Sequence, residues 1–146
     1  MGIFKRGFRI EGFTLAELMT TIIIIGILAT IAMPMFSRAM EATKAKEAVA
    51  ALRQIRTGEK VYWVEENAYW ASSGSGKTAI QNINNTLRVF LDTRDERNWN
   101  YDVVLVGATG VTATATRTDG GYINKTLTID QDGVLGGSWP LPKPEY

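Results

Sequence analysis

The chain has 146 residues, 45% hydrophobic and 21% charged, with a formal net charge of +1 and neither histidine nor cysteine. That length accommodates one modest domain beside an apolar segment. The near-neutral balance gives no reason to expect nucleic acid as a partner, and the missing residue types exclude disulfides, thiolate chemistry and the common imidazole-based general-base and transition-metal sites.

Residues 1–12, MGIFKRGFRIEG, place Lys5, Arg6 and Arg9 ahead of a long apolar run over 13–37. Positive charge on that side predicts an N-terminus facing the cytoplasm and a remainder that crosses to the outside. From Leu18 through Ser37 no side chain is charged, and at ~1.5 Å per residue a helix of that length reaches across a hydrocarbon core of ~30 Å. A buried core helix is the competing reading, but the rest of the chain is too short to wrap the Ile22 to Ile25 run. An ordinary secretory signal peptide is the other competitor. Residues 29–34, ATIAMP, match an Ala-x-Ala cleavage site poorly and lead straight on into further helix.

Within the run, Gly26 weakens the helix, and Pro34 removes a backbone donor and predicts a kink or a local opening. Both residue types are also commoner in membrane helices than in soluble ones. Glu17 stands at the edge of the apolar run, where a carboxylate is costly unless paired or left near the interface, which makes it a functional candidate. The bland alternative is an acid in a favourable first-turn position.

Over 38–66 the pattern becomes amphipathic. Ala39, Ala42, Ala45, Val49, Leu52, Ile55 and Tyr62 recur at helical spacing among Lys, Arg and Glu. One helix from about Thr14 to Val64, about 75 Å long at the standard rise, is predicted, with Gly58 a tolerated blemish. Residues 67–98 read as a loop with a short helix. Tyr62, Trp63, Tyr69 and Trp70 are expected to close the top of the core and the following turn. Gly74-Ser75-Gly76-Lys77-Thr78 imitates the end of a phosphate-binding loop, but Ala71 stands where that pattern needs glycine and the upstream element is helical, so 71–79 is expected to be a solvent-exposed loop. Ile80, Ile83, Leu87, Phe90 and Leu91 mark one face of the short helix, with Thr78 as its N-cap.

Residues 99–146 alternate at period two over Tyr101 to Val106, Val111 to Arg117 and Thr126 to Asp130, separated by a hairpin turn at Gly107 to Gly110 and a longer connection from Thr118 to Lys125. The expected fold class is α+β, a long N-terminal helix packed against a small antiparallel sheet, with a Gly- and Pro-rich tail held by Leu135, Trp139 and Leu141. Asp92, Asp95, Glu96, Asp130 and Asp132 offer carboxylates, but nothing in their spacing sets a pair across a cleft, so no enzyme is expected. Asp130-Gln131-Asp132-Gly133 has the opening of a calcium loop without its remaining ligands.

Gly12-Phe13-Thr14-Leu15-Ala16-Glu17 resembles the processing motif of the type IV pilins and the type II secretion pseudopilins. The resemblance runs from Lys5 to about Lys60 and implies a pilin fold. It further implies cleavage after Gly12 by a prepilin peptidase, methylation of the new N-terminus at Phe13, and a role for Glu17 in docking subunits against a neighbour's α-ammonium. Gly26 and Pro34 fall on the family's helix-weakening positions. Also implied are insertion in the inner membrane as a single pass, self-association with related minor pilins into a helical filament, and an assembly platform driven by a separate ATPase. The cysteine pair of many major pilins is missing. Some pseudopilins bind calcium near the C-terminus, which makes Asp130 and Asp132 metal candidates; no other cofactor is implied. A cysteine-less type IV pilus subunit is the leading expectation and a pseudopilin the alternative. A DNA-binding or adhesive minor pilin, and a single-pass membrane enzyme or sensor, are the remaining readings.

Overall fold

A computed structural model describes residues 12–142. The basic leader expected over 1–12 therefore lies, apart from Gly12, outside the described residues, as does the tail beyond Pro142.

The first element, α1 (Leu15–Glu66), is one helix of 52 residues, two residues beyond the predicted end. It stops at Asn67, which takes a left-handed backbone conformation and donates its N–H to the carbonyl of Trp63. Pro34 lies inside α1, which stays helical on both sides of it. The chain divides between Ala39 and Met40 into two compact units. In the first, the described residues are 12–14 and the start of α1, and every large apolar side chain there is exposed, Ile22, Ile25 and Leu28 among them.

The second unit has a single core. Ala45, Ala48, Val49, Leu52 and Ile55 of α1 are fully buried and follow the helical repeat, so they form one stripe. Across from them lies a four-stranded antiparallel sheet in the order β1 (Trp99–Val106), β2 (Gly110–Arg117), β3 (Thr126–Asp130) and β4 (Leu135–Gly136). Its register stacks Tyr101, Ala115 and Leu127 in one row and Val103, Ala113 and Ile129 in the next, all buried. The alanines predicted to alternate in β2 therefore sit at the middle of the sheet's inner face, and the intervening threonines turn the other way. Strand β4 is the one sheet element absent from the expectation. Two residues paired with Thr128 and Ile129 carry no period that a sequence pattern could reveal.

The short helix α2 (Gly76–Leu87) departs from the prediction at both ends. It starts after Ser75, so Gly76, Lys77 and Thr78 form its first turn rather than a loop, and Thr78 is not its N-cap. It ends where Arg88 turns left-handed, before Phe90 and Leu91. Phe90 is consequently 94% exposed instead of packed on the core. Leu91 is buried, with its backbone N–H and carbonyl both bonded to the side-chain amide of Asn84, at 2.8 and 3.0 Å. A residue outside the helix thus reaches the core through a polar clamp that apolar spacing does not register.

Candidate functional site

The residues singled out for processing and docking lie at the head of α1. Gly12 and Phe13 precede the helix, and Phe13 is 83% exposed. Thr14 and Glu17 close a reciprocal cap on the first turn. The Thr14 hydroxyl oxygen accepts the backbone N–H of Glu17 at 3.2 Å, and Glu17 Oε2 accepts both the backbone N–H of Thr14 at 3.0 Å and its hydroxyl at 2.9 Å. The first helical bond, from Leu18 N–H to the Thr14 carbonyl, follows directly. Otherwise orphaned donors are satisfied before the chain enters its apolar stretch. The Thr-x-x-Glu spacing ahead of an apolar run is a legible signature of this cap, and Thr14 is the residue that the sequence reading missed.

Three more hydroxyls follow. Thr20, Thr21 and Thr30 each donate to a carbonyl three or four residues back, at 2.8 Å. With its polar groups turned onto its own backbone, this part of α1 presents hydrocarbon outward, as a lipid or close-packed protein surround requires. It is the one helix among the described residues long and apolar enough to cross a membrane. The Thr30 hydroxyl bonds to the Gly26 carbonyl, while the carbonyl of Thr30 faces Pro34, which has no N–H to give. Gly26 has no atom outside its own helix turn within 4 Å of where a side chain would begin.

In the second unit, polar contacts fix the sheet to α1. Trp99 Nε1 donates to the Lys44 carbonyl at 2.9 Å, Asn98 donates to Glu47 at 2.9 Å, and Arg56 donates to the Gln131 carbonyl at 3.0 Å. Arg117 is fully buried and pairs with Glu41. Burial pushes the Glu41 carboxyl up, but hydrogen bonds and charge from Arg117 and Lys44 outweigh it and hold the group below its ordinary value.

The two metal candidates are engaged in a turn. Asp130 Oδ1 accepts the backbone N–H groups of Asp132, Gly133 and Val134 at 2.8–3.0 Å, and Asp132 accepts from Gln131. Among the described residues no group of three or more His, Cys, Asp or Glu side chains comes together. Asp130 and Asp132 alone do not assemble the six to eight oxygens that calcium takes. Their arrangement shapes the entry to β4.

A helix start closed by its own polar cap, an outward-facing run long and apolar enough to cross a membrane, and, in the second unit, a small sheet laid on the amphipathic continuation of α1 make up an α+β fold consistent with the pilin type. A family profile described as the prokaryotic N-terminal methylation motif matches residues 7–33. The type IV major pilin protein PilA of Myxococcus xanthus (strain DK1622) is 43% identical over 61 residues, which cover 42% of this chain and 28% of that relative. The matched stretch thus spans little more than a quarter of the relative's length. No solved structure gives a significant match. The chain thus carries a prepilin-like N-terminal methylation motif and is homologous, over the start of its sequence, to a type IV major pilin.

Proposed function

We propose that this chain is the structural subunit of a type IV pilus. It enters the inner membrane through the apolar part of α1 with its N-terminus in the cytoplasm. A prepilin peptidase cuts after Gly12 and methylates Phe13. Copies then leave the membrane with the help of an inner-membrane platform and stack, together with related minor subunits, into a filament at the cell surface. The observation that carries this reading is the exposed apolar start of α1, which lies within the stretch that matches the methylation motif. Such a surface is stable only in lipid or against other copies. Glu17 is proposed to guide docking through its carboxylate, and Gly26 and Pro34 to let α1 stretch locally in the filament. The similarity to a protein named as a major pilin favours a pilus over a secretion pseudopilus.

The test is to shear intact cells, collect the released filaments and determine the intact mass and N-terminal sequence of their main protein. An abundant species beginning at methylated Phe13 is expected. Correctly processed protein that stays in the cell envelope would transfer the reading to a pseudopilin, and an uncleaved N-terminus would overturn both.

A further inference from the structure

Glu59 lies on the buried stripe of α1 and is 1% exposed. Its Oε2 accepts the backbone N–H of Trp70 at 3.0 Å, and no described residue bonds to its Oε1. An ionised carboxylate sealed in this way has a single donor for its several lone pairs, whereas the neutral acid leaves far less unsatisfied. The partner side of the contact is the connection between α1 and α2. That connection is fixed at one end by Asn67 on Trp63 and at the other by Ser72, which bonds to Val103 and Asp102 on β1, and by Ser73, held by Asn82. Between those anchors, residues 68–71 rest on Glu59 and on the packing of Tyr69 and Trp70 against the core.

We propose that Glu59 is a pH-responsive latch: its neutral form holds the 68–71 span closed through Trp70, and its ionised form releases that span and exposes the Tyr69 and Trp70 rings on the head of the protein. Helix α1 fixes Glu59 from both sides, so the irregular span is the part that yields when water reaches the carboxylate. Burial pushes the Glu59 carboxyl up to about 7, opposed by the Trp70 N–H. No neighbouring charge contributes to that shift. The ionisable groups on the surrounding elements include Arg53, Arg56, Lys60, Tyr62, Glu65 and Glu66 of α1, Tyr69 of the span, Lys77 of α2, Arg88 beyond it, and Tyr101 and Asp102 of β1. Of these, Arg56 is bonded to Gln131, Lys77 to Asp95, Arg88 to Glu65 and Asp102 to Ser72.

The experiment is backbone amide exchange and ¹⁵N shift at Trp70, measured on the full chain in detergent micelles between pH 5 and 8. After correction for intrinsic base catalysis, exchange at Trp70 is expected to quicken about tenfold from pH 6 to pH 8, with a shift midpoint near 7. Glu59→Gln is expected to flatten both. Direct ¹³C titration of the Glu59 carboxyl in the unsubstituted chain keeps the test independent of whether that variant folds. A carboxyl midpoint near 4.5, pH-independent exchange at Trp70, or an unchanged pH response in folded Glu59→Gln would each overturn the latch.

Discussion

Arg117 donates from Nε and Nη2 to the two carboxylate oxygens of Glu41, each at 3.2 Å, so a strand of the sheet grips α1 at the start of its packed half. The remaining guanidinium nitrogen donates to the Asn98 carbonyl at 2.7 Å and pairs with Asp119, and the group lies 5.7 Å from the centre of the Trp99 ring. A buried cation with every edge occupied fixes position more than it adds stability.

Removing one partner strands the other. Glu41→Ala is expected to destabilise the head by about 3 kcal/mol, because the guanidinium stays buried without its principal counter-charge. Replacing both residues, Glu41→Leu with Arg117→Met, is expected to recover most of that loss. Urea titrations of the three proteins followed by tryptophan fluorescence provide the comparison, and a double variant as weak as the single one would refute it.

Glu41 and Glu59 impose opposite pH dependences in separate windows. The Glu41 carboxyl is held below its ordinary value, so its contribution is present above about pH 4.5 and is lost as the pH falls through its folded value. The Glu59 carboxyl is raised to about 7, so the folded chain binds more protons than the unfolded one between about 4.5 and 7, and stability declines as pH rises through that interval. Above it the full cost is up to about 3 kcal/mol. Unfolding curves are therefore expected to show greatest stability near pH 5. Glu59→Gln should gain over the unsubstituted chain at pH 8 and not at pH 4.5. A flat profile from pH 5 to 8 would contradict the Glu59 part.

The two glycines of α1 call for opposite outcomes on substitution. A methyl group at Gly58 would meet Leu87 Cβ at 2.8 Å and the Leu87 carbonyl oxygen at 2.9 Å, so this residue is the gap that lets the end of α2 close on α1. Gly58→Ala is expected to cost about 1–3 kcal/mol by overpacking, more than the gain of about 1 kcal/mol in helix propensity. Gly26→Ala meets nothing and is expected to leave the melting temperature of the head unchanged while raising helicity by circular dichroism.

That contrast marks where the sequence was legible and where it was not. The apolar run, the amphipathic stripe from Ala45 to Ile55 and the alternation of β2 are periodic over many residues, and each appears in the structure as its period requires. Gly58 looked like a defect because its reason, Leu87, is distant in the chain. Phe90 and Leu91 fitted a helical spacing, but the left-handed turn at Arg88 broke the period two residues before Phe90. Glu59 fell among other helix charges, and only the packing of the head on α1 reveals it as buried. Thr14 was legible through its spacing to Glu17, yet the larger motif around it drew attention to the acid alone.

The cap on α1 supplies the variant series that separates the two roles open to Glu17. Glutamine at this position preserves the reciprocal bonds of the cap but carries no charge, whereas alanine loses both. Thr14→Ala removes one half of the cap and leaves the carboxylate. If the carboxylate is what guides a subunit onto its neighbour, Glu17→Gln and Glu17→Ala should both keep processing at Phe13 and both lose filaments, while Thr14→Ala should assemble. If the cap is what matters, Glu17→Gln should assemble like the unsubstituted chain, and Thr14→Ala and Glu17→Ala should fail together. Sheared filament yield, scored beside the mass of the processed N-terminus, distinguishes the two. The proposed docking role predicts the first pattern, since a neutral side chain gives a neighbour's α-ammonium no counter-charge in a surround of low dielectric.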